Sequence, residues 1–194
     1  MTLDTAAPVI RAPGENERSS AIRVGVIGCG GRGEAAAMNA MNAGKDVHIV
    51  AMGDIRLDRV QEKRAALKLK YPDQVDVTDD RCFKSFDAYK HVIEASQVLI
   101  IANAAKFHPM HLKAAIEAGR HVFVEKPHAI DPYGIQTVRE ACDLARQKGL
   151  CVQSGLQSRY HPGYQETMKR VHDGAIGDIV AIQETWLRPP YVMY

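Results

Sequence analysis

Apolar residues along the chain gather into short continuous runs separated by amphipathic stretches. IRVGVIG (22–28), VHIVAMGD (47–54), VLIIAN (98–103), HVFVE (121–125) and LCVQSG (150–155) are unbroken rather than alternating, the pattern of strands covered on both faces. The stretches between them carry helix punctuation. Ala35 to Ala43 is rich in Ala and Met and stops at Gly44, a candidate left-handed cap. Arg56 to Lys70 is a charged amphipathic helix ended by Tyr71-Pro72, and Pro109 to Ala118 stops at Gly119. Asp131-Pro132 offers an N-cap followed by proline at the first helical position, opening a helix that runs to Gly149. Alternating βα units of this size predict an α/β domain over residues 21–155, a doubly wound parallel sheet with right-handed crossovers.

After Gly155 the pattern changes. QSRYHPGYQETMKRVHDGAIG reads as a loop and one more helix, and DIVAIQETWL (178–187) as a partly alternating strand. Residues 156–194 are therefore expected to begin a second α/β domain. The first twenty residues are polar and contain Pro and Gly, the composition of a disordered tail.

Composition narrows the classes. Apolar residues make up 46% and charged residues 25% of the chain, as in ordinary globular proteins. A net charge of +2 without a basic run argues against nucleic acid or anionic membrane as partner. No apolar run approaches the length of a membrane span. The opening lacks the apolar segment of a signal peptide. The four cysteines show neither C-x-x-C pairing nor zinc-finger spacing, which suggests reduced thiols and a cytoplasmic protein.

Residues 28–33, GCGGRG, satisfy G-x-G-x-x-G through Gly28, Gly30 and Gly33. The motif is weak alone, but here it follows a strand and opens a helix, the context it requires. Gly28 permits the tight turn, Gly30 lets backbone N–H groups approach a pyrophosphate, and Gly33 lets helix and sheet pack closely. Cys29, Gly31 and Arg32 complete the candidate cofactor loop, with Cys29 as a small residue and no redox role. Asp54 ends the second strand, 21 residues beyond Gly33. Its carboxylate can accept from ribose hydroxyls and repel a 2′-phosphate, which favours NAD(H). Arg56 is placed to cover the adenine or to blunt that repulsion, so NADP(H) stays open. The competing account is a structural turn in which Asp54 caps the next helix.

Glu125-Lys126-Pro127 ends an apolar strand with charge. Ligands of such sheets sit beyond the carboxyl ends of the strands, so Lys126 is directed toward the cofactor crevice, and Glu125 toward a neighbouring partner or a ribose hydroxyl. The Lys126–Pro127 bond is a candidate for the cis form. A solvated charged turn is the plain alternative. "AGRHVFVEKPHAID", preceded by "FHPMHLKAAIE" and the GCGGRG loop, resembles the Gfo/Idh/MocA oxidoreductase family, and the resemblance runs from Ile22 onward. It implies a Rossmann-like NAD(P)-binding domain in which Lys126 contacts substrate and assists proton transfer. It also implies a longer protein, whose second domain, a mostly antiparallel sheet, roofs the active site and forms a homo-oligomer contact. His108 keeps the family's histidine position, whereas Asn103-Ala104-Ala105 replaces its usual Thr-Pro; Asn103 and His108 remain candidate cofactor contacts.

Arg159, Tyr160 and His161 are candidate substrate contacts, or members of an ordinary interdomain linker. His108 and His111 have a spacing two metal ligands could share, but no third ligand presents itself and no metal is expected. The leading expectation is an NAD-dependent dehydrogenase of a sugar, inositol or related polyol. The alternatives are a glycosidase of the same family that oxidises transiently and eliminates, and a nucleotide-binding module without catalysis.

Overall fold

The computed structural model describes residues 21–185 and Leu187; the expected tail at residues 1–20 lies outside them. Six strands form one parallel sheet: β1 (Ile22–Ile27), β2 (Val47–Asp54), β3 (Cys82–Lys84), β4 (Val98–Ile101), β5 (His121–Val124) and β6 (Val152–Ser154). Their order is β3-β2-β1-β4-β5-β6, so the winding reverses between β1 and β4, where ligands of such sheets bind. The helices between them are α1 (Gly31–Ala43), α2 (Leu57–Lys70), α3 (Ala88–Ala95), α4 (His108–Glu117) and α5 (Pro132–Gln147).

Unbroken apolar strands bury both faces. In β4, Leu99 and Ile101 join a cluster with Val92 of α3, Leu112 and Ile116 of α4 and Ala141 of α5. Ile100 turns the other way, onto Val26, Met41 of α1 and Val60 and Leu67 of α2. The β1–β2 register slips between Val24 and Gly25, which pair with Ile49 and Ala51, and the extra residue, Val50, enters the α3–α5 side. The Asp131-Pro132 start of α5 forms as the sequence suggests, with the Asp131 carboxylate accepting from the Gly134 N–H at 2.6 Å.

The pair β3–α3 carries no signal in the runs read above. β3 has three residues, and α3 eight, with no side-chain bond at its N-cap Asp87. Such short elements show too few periods to stand out.

Contacts divide the chain between Gly155 and Leu156. Beyond that point lie a 3₁₀ turn (Gln157–Tyr160) and α6 (Pro162–His172), capped by His161 accepting from the Gly163 N–H at 3.1 Å. The strand expected at 178–187 does not form: residues 178–185 and Leu187 have no regular structure and are exposed. A strand exists only through a hydrogen-bonded neighbour, and among the described residues none pairs with this segment.

Candidate cofactor and active site

The glycine loop joins β1 to α1. Gly28 has φ +94°, and a Cβ there would lie 2.5 Å from the Asn103 nitrogen, so a side chain would be both strained and obstructed. At Gly33 a Cβ would sit 1.9 Å from the Gly28 carbonyl oxygen, which is the close helix–loop packing the motif requires. Gly30 and Gly31 differ: nothing lies within 4 Å of a Cβ built on either. Gly30 caps α1 without a side-chain bond, leaving the first-turn N–H groups for an outside acceptor. This cradle fits a pyrophosphate. Cys29 turns inward, its thiol against the Gly53 carbonyl at 3.6 Å. Burial, with the Asp54 charge adding to it, pushes that thiol up to about 12.

Asp54 holds the loop. One carboxylate oxygen accepts from the Cys29 N–H at 2.8 Å and the other from the Arg56 N–H at 3.1 Å. It is not a helix cap, since α2 has Arg56 at its N-cap. Gly28, Gly30, Asp54 and Asn103 all line a cavity of about 260 Å³ at the β1–β4 reversal. Arg56 is not in that wall; its guanidinium pairs with Asp58 on the exposed surface. The arginine of the wall is Arg59, in the first turn of α2.

Much of the remaining wall comes from the segment the sequence did not reveal and from the turn after β4. Ser85 and Phe86 lie between β3 and α3, and Tyr89 lies in the first turn of α3. Ser85 has φ +142°, a strained backbone of the kind found at functional sites. Phe107 and His111 close the other side. The His111 ring stacks between Tyr89, 4.3 Å between centroids, and Phe107 at 5.9 Å. Its Nδ1 meets the Asn103 amide nitrogen at 3.2 Å, while His111 Nε2 and Asn103 Oδ1 are buried without partners. Burial, then the neighbouring His108, lowers the His111 pKa to about 4.

The Glu-Lys-Pro turn lies beyond β5, outside the wall of this cavity. Glu125 is buried and its carboxylate accepts from Arg32, at 2.7 Å from Nε and 2.6 Å from Nη2. The Lys126–Pro127 bond is cis. His108 is 1% exposed and faces two carbonyls, Nδ1 to Pro127 at 2.8 Å and Nε2 to Asn103 at 2.9 Å. The tautomer of the ring decides which of the two contacts is an N–H donation. Lys126 is exposed, and its ammonium makes no hydrogen bond or ion pair among the described residues. Both neighbours of Lys126 are thus anchored while its own side chain is free.

Arg159, Tyr160 and His161 belong to the unit beyond Gly155 and are exposed. Among the described residues no three His, Cys, Asp or Glu side chains gather as a metal site, and no helix is long and apolar enough to cross a membrane.

Comparison with known proteins agrees with this geometry. The family described as "Oxidoreductase family, NAD-binding Rossmann fold" (GFO_IDH_MocA) matches residues 22–156. The chain belongs to that family. A D-glucoside 3-dehydrogenase of Escherichia coli is 30% identical over 170 residues, 88% of this chain and 44% of that protein. An inositol 2-dehydrogenase of Saccharopolyspora erythraea is 33% identical over 158 residues, 80% of this chain and 42% of its own length. Among solved structures, myo-inositol 2-dehydrogenase from Lactobacillus plantarum superposes with TM-score 0.66 at 25% identity, covering 82% of this chain and 43% of that one. A 3-ketoreductase from Actinomadura kijaniata, solved with TDP-benzene and NADP in an open conformation, shares the fold with TM-score 0.63 at 23% identity, covering 81% and 45%. The chain spans less than half the length of these relatives.

Proposed function

We propose that the chain is the dinucleotide-binding part of an NAD(P)-dependent dehydrogenase acting on a secondary alcohol of a sugar, inositol or related polyol, and that it prefers NAD(H). The observation that carries this reading is the uncapped start of α1, with open space at Gly30 and Gly31, on a cavity whose wall also holds Asp54. The α1 N–H groups would hold the pyrophosphate, and the outer lone pairs of Asp54 the adenosine ribose. The aromatic side of the cavity suits the adenine face. When bound, the nicotinamide supplies the hydride acceptor or donor. Lys126 supplies the proton relay: its free ammonium, held between two anchored residues, can polarise the substrate oxygen and exchange its proton. The sugar and inositol dehydrogenases among the relatives support the substrate class. None of the relatives named above is a glycosidase.

Arg59 tempers the cofactor preference. It is a cation whose side chain has no bonded partner among the described residues, in the same wall as Asp54, so NADP(H) binds more weakly rather than not at all. Asp54→Asn removes the charge while keeping one carbonyl acceptor for the loop. The expected outcome is a fall of about tenfold or more in the ratio of NADH to NADPH affinity, measured by titration of nicotinamide fluorescence. An unchanged ratio would remove Asp54 as the selecting group.

A further inference from the structure

We propose that Arg32 is a positioning residue: through its ion pair with Glu125 it links the phosphate-binding loop to the turn that carries Lys126, so that dinucleotide binding is felt at Lys126. The inference rests on the dinucleotide reading given above. An arginine within a glycine-rich phosphate loop is an obvious candidate for direct phosphate contact. Here its Nε and Nη2 both converge on one Glu125 oxygen, at 2.7 and 2.6 Å, and its guanidinium lies 6.0 Å from the Phe123 ring centroid.

Glu125 has little freedom to leave. Its side chain is 8% exposed, and a buried carboxylate that loses its partner is left as an uncompensated charge. The end of β6 closes the other side: a Cβ at Gly155 would lie between 2.4 and 2.9 Å from the carboxyl atoms of Glu125. The backbone is pinned as well, with the Glu125 N–H donating to the Ile101 carbonyl at 2.9 Å and the Gly155 N–H to the Val124 carbonyl at 2.8 Å. On the far side of Lys126, the Pro127 carbonyl lies against the buried His108 ring, 2.8 Å from its Nδ1. The position of Lys126 is therefore set by two fixed neighbours, and one of the fixing groups, Arg32, belongs to the first turn of α1.

A pyrophosphate arriving at that helix start brings negative charge within reach of the guanidinium donors not engaged by Glu125. Sharing Arg32 between phosphate and carboxylate leaves the Glu125 charge less fully neutralised, and the adjacent Lys126 feels that change in field without Glu125 having to move. Loop and turn thus respond together, without any contact between the phosphate and Lys126.

The test uses ADP, which carries the pyrophosphate and adenosine but has no nicotinamide to approach Lys126 directly. Lysines of the 194-residue chain are ¹³C-methylated reductively, and the Lys126 signal is assigned with Lys126→Arg. In the parent chain saturating ADP is expected to shift the Lys126 signal. In Arg32→Met and in Glu125→Gln, ADP is expected to bind within about tenfold of the parent affinity, with the Lys126 shift reduced by at least half and Arg32→Lys restoring part of it. Glu125→Gln removes the buried charge and keeps the hydrogen-bonding group, so it remains informative if Arg32→Met does not fold. An equal Lys126 shift in parent and Glu125→Gln overturns the proposal, as does a parent that binds ADP with no Lys126 response. A folded parent that binds neither ADP nor NADH overturns the dinucleotide reading itself, and the proposal with it.

Discussion

His111 sits between two aromatic rings, with its Nδ1 facing an amide nitrogen that can only donate and its Nε2 without a partner. Protonating it would set a cation against that donor in a site 5% exposed. The unfolded chain takes up this proton near the ordinary histidine value of about 6.5, whereas the folded chain resists until about 4. A depressed folded-state value means that the unfolded form binds more protons in between, so stability is complete above pH 6.5 and declines as the pH falls toward 4. The loss attributable to this one group is about 3 kcal/mol. Urea unfolding at pH 7, 6 and 5 measures it, and His111→Phe is expected to flatten the decline; an identical decline in the variant would refute the assignment. At this scale the sequence reveals residues whose placement depends on local chain geometry. Gly28, Gly33 and Asp54 are legible because a strand, a turn and a helix in succession dictate where they lie. Arg59 and the His111 stack were not legible, because their importance comes from side chains distant in sequence, Tyr89 above all, that reach the same wall. Arg56, two residues after Asp54, is a candidate by proximity, yet its N-cap position lets it pair with Asp58 instead.

Among the elements, α5 shows how directly punctuation can be read. Asp131 supplies the cap bond and Pro132 occupies a position where no N–H is needed. Asp131→Ala is expected to destabilise the chain by about 1 kcal/mol, read as a lower urea midpoint with unchanged slope; no change in midpoint would show that the cap is dispensable. β4 and β5 were equally readable from their apolar runs, although the strands end two and one residues earlier than the runs do. The chain leaves the sheet at Ala102 and Glu125 because it must turn toward the site. β3 and α3 are not legible in the sequence for a physical reason: a three-residue strand paired, among the described residues, along β2 alone leaves no periodic trace. The segment at 178–187 shows the opposite failure. Its alternation is real, but alternation describes which faces a strand would present, and a strand requires a neighbour to pair with.

For the molecule as a whole, parallel order with reversal between β1 and β4 brings three separate loops to one end of the sheet. The glycine loop, Asp54 and Asn103 arrive from β1, β2 and β4 respectively, and all contribute to one cavity. The Glu-Lys-Pro turn arrives from β5 and is joined to the first of these through Arg32 and to the third through His108. A strand that ends in charge is understandable on this arrangement: the Glu125 charge is paired with Arg32 at the start of α1, and the Lys126 ammonium has no partner among the described residues. The central claim, that this end of the sheet takes a nicotinamide dinucleotide and selects by the adenosine ribose, is tested most directly by titrating the 194-residue chain with NADH and with NADPH, following nicotinamide fluorescence. The account predicts saturable binding of both, tighter for NADH. A chain that is folded by circular dichroism and binds neither would contradict it.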